Sequence, residues 1–282
     1  MAGVSHARKA GGKGAPMADY DRDRHWSSVG EHILSRPDDN LLAGDDAPYY
    51  RYKADLFSTE FLSQVPIEGR SVLEVGCGAG RNLEGIASRH PRRLVGCDVA
   101  GAMVKLSQHR MGDAAEVVQT DGAHLPFSDG EFDVVTTVTV LQHNPDAARA
   151  ELIGEICRVA GGDIFLFEDT SSTTSGSEAT GTAEGEYQNF FGRPVSWYTQ
   201  ACRRHGFSLV DTQVQATFVS HMTFVVLSRL LDRHREVAEG VPFSKLHLAI
   251  EERTLPVTRH LDRLIKVHKS ELTLMRFARD AA

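Results

Sequence analysis

Val72-Leu-Glu-Val-Gly-Cys-Gly-Ala-Gly-Arg-Asn82 decides how the rest of this 282-residue chain is read. Ser71 to Val75 is a short apolar run of strand type, and Arg81 to Arg89 has helical spacing. Between them Gly76, Gly78 and Gly80 allow positive φ and close approach of the backbone. Strand, tight turn and helix in that order leave the free amides of a helix N-terminus beside a strand end. The spacing Gly-x-Gly-x-Gly departs from a phosphate loop, which needs Gly-Lys-Ser/Thr, and from the dinucleotide pattern Gly-x-Gly-x-x-Gly. With Glu74 just before it, the loop reads as one for a nucleoside rather than a pyrophosphate.

Downstream, Arg93-Leu-Val-Gly-Cys-Asp98 is a second strand ending in an acid, the position from which a carboxylate accepts both ribose hydroxyls. A third strand, Glu116 to Thr120, runs into Asp121-Gly-Ala-His-Leu-Pro-Phe127. A fourth begins at Phe132-Asp-Val-Val and continues toward Leu141-Gln-His143. Over residues 70 to 170 this order and these motifs closely resemble the class I S-adenosylmethionine-dependent methyltransferases. The resemblance implies a Rossmann-like α/β fold: a doubly wound, mostly parallel seven-stranded sheet with an N-terminal helical segment and a helical cap between the last two strands. It implies S-adenosyl-L-methionine as donor and S-adenosyl-L-homocysteine as product. Gly76, Gly78 and Gly80 would pass close to the methionine part, and Glu74 would help orient its amino group. Asp98, with Val99 beside it, would hold the ribose. Asp121 would accept from the adenine amino group, and Gly122 or Ala123 would offer a backbone contact to the ring. Such an N-terminal helix, here Tyr50 to Val65, lies across the pocket mouth, so Arg51 or Tyr52 would face the methionine carboxylate.

Outside these motifs the chain divides by composition. Residues 1–18, rich in Gly, Ala and Lys, are expected to be a disordered extension. Residues 19–66 are expected to form an N-terminal helical lid segment and 67–215 the donor-binding domain. Helices are expected near Gly101 to Arg110, Pro145 to Val159 and Pro194 to His205, with strands at Asp163 to Asp169 and Phe207 to Val214. Thr170 to Glu186, mostly Ser, Thr, Gly and Ala, is a long loop, either a lid or a surface excursion. Residues 216–270 show helical spacing through Met222 to Leu231 and Leu246 to Ile265. Residues 271–282 supply the closing antiparallel strand. An insertion that leaves the carboxyl end of a parallel strand emerges on the ligand side, so the cap is expected to roof the acceptor pocket.

Net charge is −7, which gives no global pull toward nucleic acid or membrane. Four scattered cysteines without a Cys-x-x-Cys pair read as reduced structural thiols and suit the cytoplasm. No apolar run has the length of a membrane span. The expected partner is a small-molecule acceptor, with no nucleic acid, no membrane, and a monomeric or homodimeric state. No Cys/His cluster of metal-site spacing stands out, so a metal is left unassigned.

Methyl transfer from a sulfonium is an in-line displacement, and alignment in a dry site supplies much of the rate. A base is needed only when the acceptor loses a proton. His143 follows the fourth strand and is either that base or a cap for the next helix. Glu168 and Asp169 end the fifth strand on the ligand face, where one of them accepts a proton, binds a metal with its neighbour or faces solvent; of the two, Glu168 is the expected functional acid. Trp197 and Tyr198, with Phe190 and Phe191 near in sequence, suggest an aromatic-lined pocket for a small molecule, such as a secondary metabolite. A second reading gathers Arg51, Lys53, Arg193, Arg253, Arg259 and Arg263 around a diphosphate, for methylation of an isoprenyl carbon. Readings of another class are a nicotinamide-dependent dehydrogenase and a noncatalytic nucleotide-binding module.

Overall fold

A computed structural model of the chain describes residues 22–34, 47–170, 192–215, 217–233, 243–265 and 272–281. The expected extension at residues 1–18, the lid or excursion at 171–186, and Phe190 and Phe191 lie outside the described residues.

Seven strands form one sheet in the order β3-β2-β1-β4-β5-β7-β6. They are β1 (Ser71–Val75), β2 (Arg93–Asp98), β3 (Glu116–Gln119), β4 (Phe132–Val138), β5 (Ala160–Asp169), β6 (Phe207–Val214) and β7 (Leu272–Arg279). The pairs from β3 through β5 are parallel, and β7 runs antiparallel to both neighbours. Strand order reverses between β1 and β4, which makes the carboxyl ends of those strands the crevice of a doubly wound sheet.

Alternating residues divide each strand between two cores. Leu73, Val75, Ile164 and Leu166 face one layer, where α5 (Asp146–Val159) and α6 (Val195–Arg203) pack. Val72, Val134, Phe165 and Phe167 face the other, covered by α3 (Arg81–Ala87), α4 (Gly101–Met111) and the chain ahead of β1. That chain is α2 (Pro48–Leu56), running into a π-helical turn at Phe57–Phe61. The wider turn stacks Phe57 on Phe61 at 4.3 Å and sets both against Phe167. All four cysteines are buried and none forms a disulfide.

Two boundaries differ from expectation for identifiable reasons. β5 begins at Ala160, ahead of Asp163, because Gly161 and Gly162 are pressed against β4. A Cβ on Gly162 would stand 2.4 Å from the Asp133 carbonyl oxygen, so these glycines extend the strand instead of breaking it. β4 ends at Val138, because Thr139 takes φ 55° and Leu141–His143 forms a 3-10 turn.

Helix α1 (Arg22–Leu34) packs on α4, with Gly30 close enough to Ala102 that a Cβ there would approach to 2.8 Å. Helices α7 (Phe218–Leu231) and α8 (Lys245–Leu264) lie between β6 and β7 in sequence and pack on each other and on α2.

Candidate functional site

Strand β1 delivers the glycine loop to the crevice. Gly76 has φ +73°, and a Cβ there would stand 2.4 Å from Val140 Cγ2, so the loop after β1 and the turn after β4 touch where only hydrogen fits. The amides of Gly76 and Cys77 both donate to the Cys97 carbonyl (2.7 and 3.0 Å), tying the loop to β2. Gly78, at φ +52°, has nothing within 4 Å of its Cβ direction and leaves the loop's outer side open. Gly80 closes the loop as the residue before α3.

Asp98, at the end of β2, is joined to this loop. Its Oδ2 accepts the Gly78 amide and its Oδ1 the Ala100 amide, both at 2.9 Å. Burial pushes the carboxyl upward, while the amides of Ala100 and Gly78 pull the other way. Val99 follows, its carbonyl accepting from Gln119 Nε2.

Glu74 is wholly buried one residue before Val75. Its Oε1 accepts from Asn82 Nδ2 at 3.0 Å, and its Oε2 is buried with no hydrogen-bond partner. Burial raises the carboxyl to about 8, the Asn82 bond opposes this, and nearby Asp98 adds to it. An orphaned carboxylate oxygen under a glycine loop fits a donor that carries an ammonium and a sulfonium.

Asp121 is exposed and closes its own turn. Oδ1 accepts the amides of Ala123 (2.8 Å) and His124 (2.7 Å), and these bonds hold the carboxyl down to about 2. Gly122 takes positive φ in that turn.

Beyond β4, the turn that bears His143 is held from beneath. Glu168 is fully buried, and its carboxylate accepts from Thr137 Oγ1 (2.8 Å), the Val140 amide (3.1 Å) and the Gln142 amide (3.2 Å). Buried Arg149 donates to the Asn144 carbonyl through Nε (3.2 Å) and Nη2 (2.6 Å). Gln142 Oε1 accepts the Asp169 amide at 2.8 Å, leaving its Nε2 3.4 Å from His143 Nε2. Above, the edge of Trp26 on α1 meets His143 at 5.1 Å.

The structure therefore gathers Glu74, Gly76, Gly78, Gly80, Asp98, Val99 and the His143 turn at the carboxyl ends of β1, β2 and β4. Four expected side chains lie elsewhere. Arg51 is exposed and pairs with Glu252 of α8 at 3.1 Å, and Tyr52 is buried beneath Arg259 at 4.7 Å. Helix α2 turns this side toward the cap, because its opposite flank continues into the phenylalanines that pack on β5. Tyr198 has no exposed surface and belongs to the core. Trp197 covers the Arg149 guanidinium at 5.0 Å. Glu168 ends β5 as expected but points into the protein, so it acts on the turn and not on an acceptor. The six cations read as a diphosphate grip are divided: Arg193 pairs with Asp146 at 2.7 Å, far in the fold from Arg51 and Arg259 on the cap side. Helix α1 falls within the expected N-terminal lid segment, but Trp26 was not among the expected site residues. Its one signal is a tryptophan in a polar stretch.

Among the described residues no group of three or more His, Cys, Asp and Glu could hold a metal ion. A hollow of about 260 Å³ lined by Gln64, Phe165, Asp211, Gln213, Leu274 and Arg276 shares no residue with the glycine loop and is separate from this site.

Residues 72–161 match a family described as "Methyltransferase domain". A probable tRNA methyltransferase 9B of Mus musculus is 31% identical over 102 residues, 35% of this chain and 22% of that protein. A demethylmenaquinone methyltransferase of Thermobifida fusca (strain YX) is 35% identical over 153 residues, 51% of this chain and 61% of that protein. The matches thus span less than two thirds of either relative. In structure, the chain is similar to the cyclase SpnF, with TM-score 0.64 at 14% identity over 92% of this chain and 96% of that one. It is also similar to magnesium protoporphyrin IX methyltransferase from Synechocystis PCC 6803 with bound S-adenosylhomocysteine. That match has TM-score 0.55 at 14% identity, over 92% and 98% of the two chains. At such identities the structural likeness shows the shared fold alone.

Proposed function

We propose that the chain, whose residues 72–161 match a methyltransferase domain, is a class I S-adenosylmethionine-dependent methyltransferase that methylates a small-molecule acceptor. The observation that carries the proposal is the pairing of Glu74, buried with an unpartnered oxygen, with the Asp98-tied glycine loop at the sheet's switch point. S-adenosylmethionine supplies an electrophilic methyl when bound. The Glu74 carboxylate receives the ammonium of its methionine part, and open-sided Gly78 lets the backbone pass close to the donor. Asp98 holds the ribose, with one lone pair of each oxygen already engaged, by the Gly78 amide of the loop and by the Ala100 amide. Asp121, Gly122 and Ala123 flank the adenine, the first through whatever carboxylate capacity its own turn leaves. His143 takes the acceptor's proton where there is one to take. Its turn is fixed by Glu168 and Arg149, which act as positioning residues.

A small molecule is favoured over tRNA by the acidic balance of the chain and by the longer match to the demethylmenaquinone enzyme than to the tRNA methyltransferase. A secondary metabolite is one such acceptor. Nothing in the paired arginines favours an isoprenyl diphosphate, and the glycine spacing disfavours a dehydrogenase. Titration calorimetry with S-adenosylhomocysteine tests the donor site: wild type binds, and Asp98→Ala binds at least tenfold more weakly. Equal or absent binding in both removes the reading. Labelled-methyl transfer to a panel of small molecules and to bulk tRNA separates the acceptor classes.

A further inference from the structure

The fully buried residues of helices α7 and α8 are polar, while large apolar side chains of both helices stand in solvent. The residues α8 buries are His247, Glu251, Thr258 and Asp262, and the residue α7 buries is Ser220. Most of these groups are hydrogen-bonded at the seam between the two helices. Ser220 Oγ bonds Asp262 and Thr258, the Val219 amide donates to Asp262 at 2.7 Å, and His247 Nδ1 lies 2.6 Å from Asp232 Oδ2. A helix pair made only to cover its own protein would bury its apolar stripe instead.

Part of the apolar surface is turned inward, where Phe224 packs on Tyr49, Tyr50 and Phe243, but a second set stands outside. Met222, Val226 and Leu230 recur at i, i+4 and i+8 on α7, and Leu246, Val257 and Leu264 at i, i+11 and i+18 on α8, each set along one side of its helix. Leu230 is 72% exposed and Leu264 67%. Among the described residues, every exposed large apolar side chain other than Leu34 and Val210 lies on these helices or on Ile265, just beyond α8. Apolar side chains gathered in this way on two packed helices mark an interaction surface.

Charge says what it meets. Arg229, Lys245, Arg253 and Arg263 are exposed on the same two helices, with Arg229 between Val226 and Leu230 and Arg253 between Leu246 and Val257. The exposed carboxylate there is Glu252, already paired with Arg51. A basic, aliphatic face on a chain of net charge −7 is complementary to an anionic lipid surface. A second copy meeting it across a two-fold axis would set these cations against themselves. A nucleic acid would leave the aliphatic stripe unused.

We infer that the outer face of α7 and α8 seats the protein on an anionic membrane surface, with the aliphatic side chains at the acyl boundary and the four cations on headgroup phosphates. No described helix is long and apolar enough to cross a membrane, and a surface-seated face needs none. The inference departs from the expectation of no membrane partner, which rested on the lack of a spanning run and on net charge. α7 leaves the carboxyl end of β6, the same end of the sheet that carries Gly76 and Asp98, so docking brings the donor-site end to the bilayer. It stands apart from the proposed reaction, because lipid binding is read without turnover.

Flotation of the full chain with vesicles tests it. Wild type floats with vesicles of phosphatidylcholine and phosphatidylglycerol in equal parts, stays behind with phosphatidylcholine alone, and is released by high salt. Met222→Glu with Leu230→Glu lowers the bound fraction about tenfold, as does Arg229→Gln with Arg253→Gln, while circular dichroism and the melting temperature stay as in wild type. Failure of wild type to float, equal binding to neutral vesicles, or equal binding by both variants overturns the inference. Light scattering at twice the chain mass, falling to one in the Glu variant, would assign the face to a second copy and overturn it as well.

Discussion

Glu74 is held in an environment that penalises its charge. Burial raises its carboxyl from the ordinary 4.5 to about 8, so the ligand-free protein keeps this group protonated at neutral pH. Between those two values the folded chain holds a proton that the unfolded chain has released. The contribution to stability therefore falls as pH rises through that window and is level above about 8. A cationic donor reverses the preference by favouring the carboxylate. Donor affinity is thus expected to rise with pH up to about 8, with proton release on binding at pH near 7. Calorimetry in two buffers of different ionisation enthalpy reads that release, and Glu74→Gln should abolish it. A pH-independent affinity with no release would refute the assignment of Glu74 to the ammonium. Asp98 has a structural duty as well. In Asp98→Asn one amide of Gly78 or Ala100 loses its acceptor, at a cost of about 1–3 kcal/mol in denaturant unfolding, and donor affinity drops roughly 10- to 100-fold.

The turn after β4 shows why a residue's role follows from the element that carries it. Thr139 at positive φ and the following 3-10 turn are over-determined from below by Glu168 and Arg149. Replacing Glu168 by Ala leaves two buried amides and a hydroxyl without their acceptor. Expected results are a loss of about 3 kcal/mol in stability and at least a tenfold fall in turnover, with donor affinity little changed. Full turnover in that variant would show that the turn needs no such support. On the other side of His143, Trp26→Ala removes the ring that covers it. It should lower turnover in single-turnover assays, while melting shifts by no more than a half-exposed aromatic accounts for. Elements of this size were unequally legible. The strands announced themselves as apolar runs ending in Gly76 and Asp98, because a sheet buried on both faces leaves no choice of residue. The Gly161-Gly162 start of β5 was hidden, since close strand approach and a strand break use the same residue. Which side of α2 faces the donor was not legible either: Arg51 and Tyr52 are drawn to Glu252 and Arg259, whose position depends on a helix some two hundred residues later in the chain. Trp26 acquires its meaning only when α1 docks on α4.

At the scale of the whole molecule, the chain joins two bodies of different cohesion. The sheet holds two apolar cores, one on each face, with Val72, Leu73, Val134 and Leu166 fully buried. The cap combines a small aromatic contact, Phe224 on Tyr49, Tyr50 and Phe243, with a larger set of polar ones. The Tyr49 amide donates to Glu251 at 3.1 Å, Tyr49 Oη meets His221 at 3.0 Å, and Asp232, His247, Ser220 and Asp262 bind α7 to α8. Burying such groups gains little net free energy, because each bond replaces one to water, whereas apolar burial gains about 25 cal/mol per Å². Local opening should therefore part the cap from the sheet well before the sheet itself unfolds. Hydrogen exchange read by mass spectrometry is expected to show α7 and α8 exchanging at least tenfold faster than β1, β4 and β5. Asp262→Ala should widen the gap by quickening the cap alone, because it takes the acceptor from the Val219 and Ser220 amides while touching nothing in the sheet. Protection of α7 and α8 equal to that of β4, unchanged in Asp262→Ala, would mean that the polar seam is as cohesive as the apolar cores and that cap and sheet open as one.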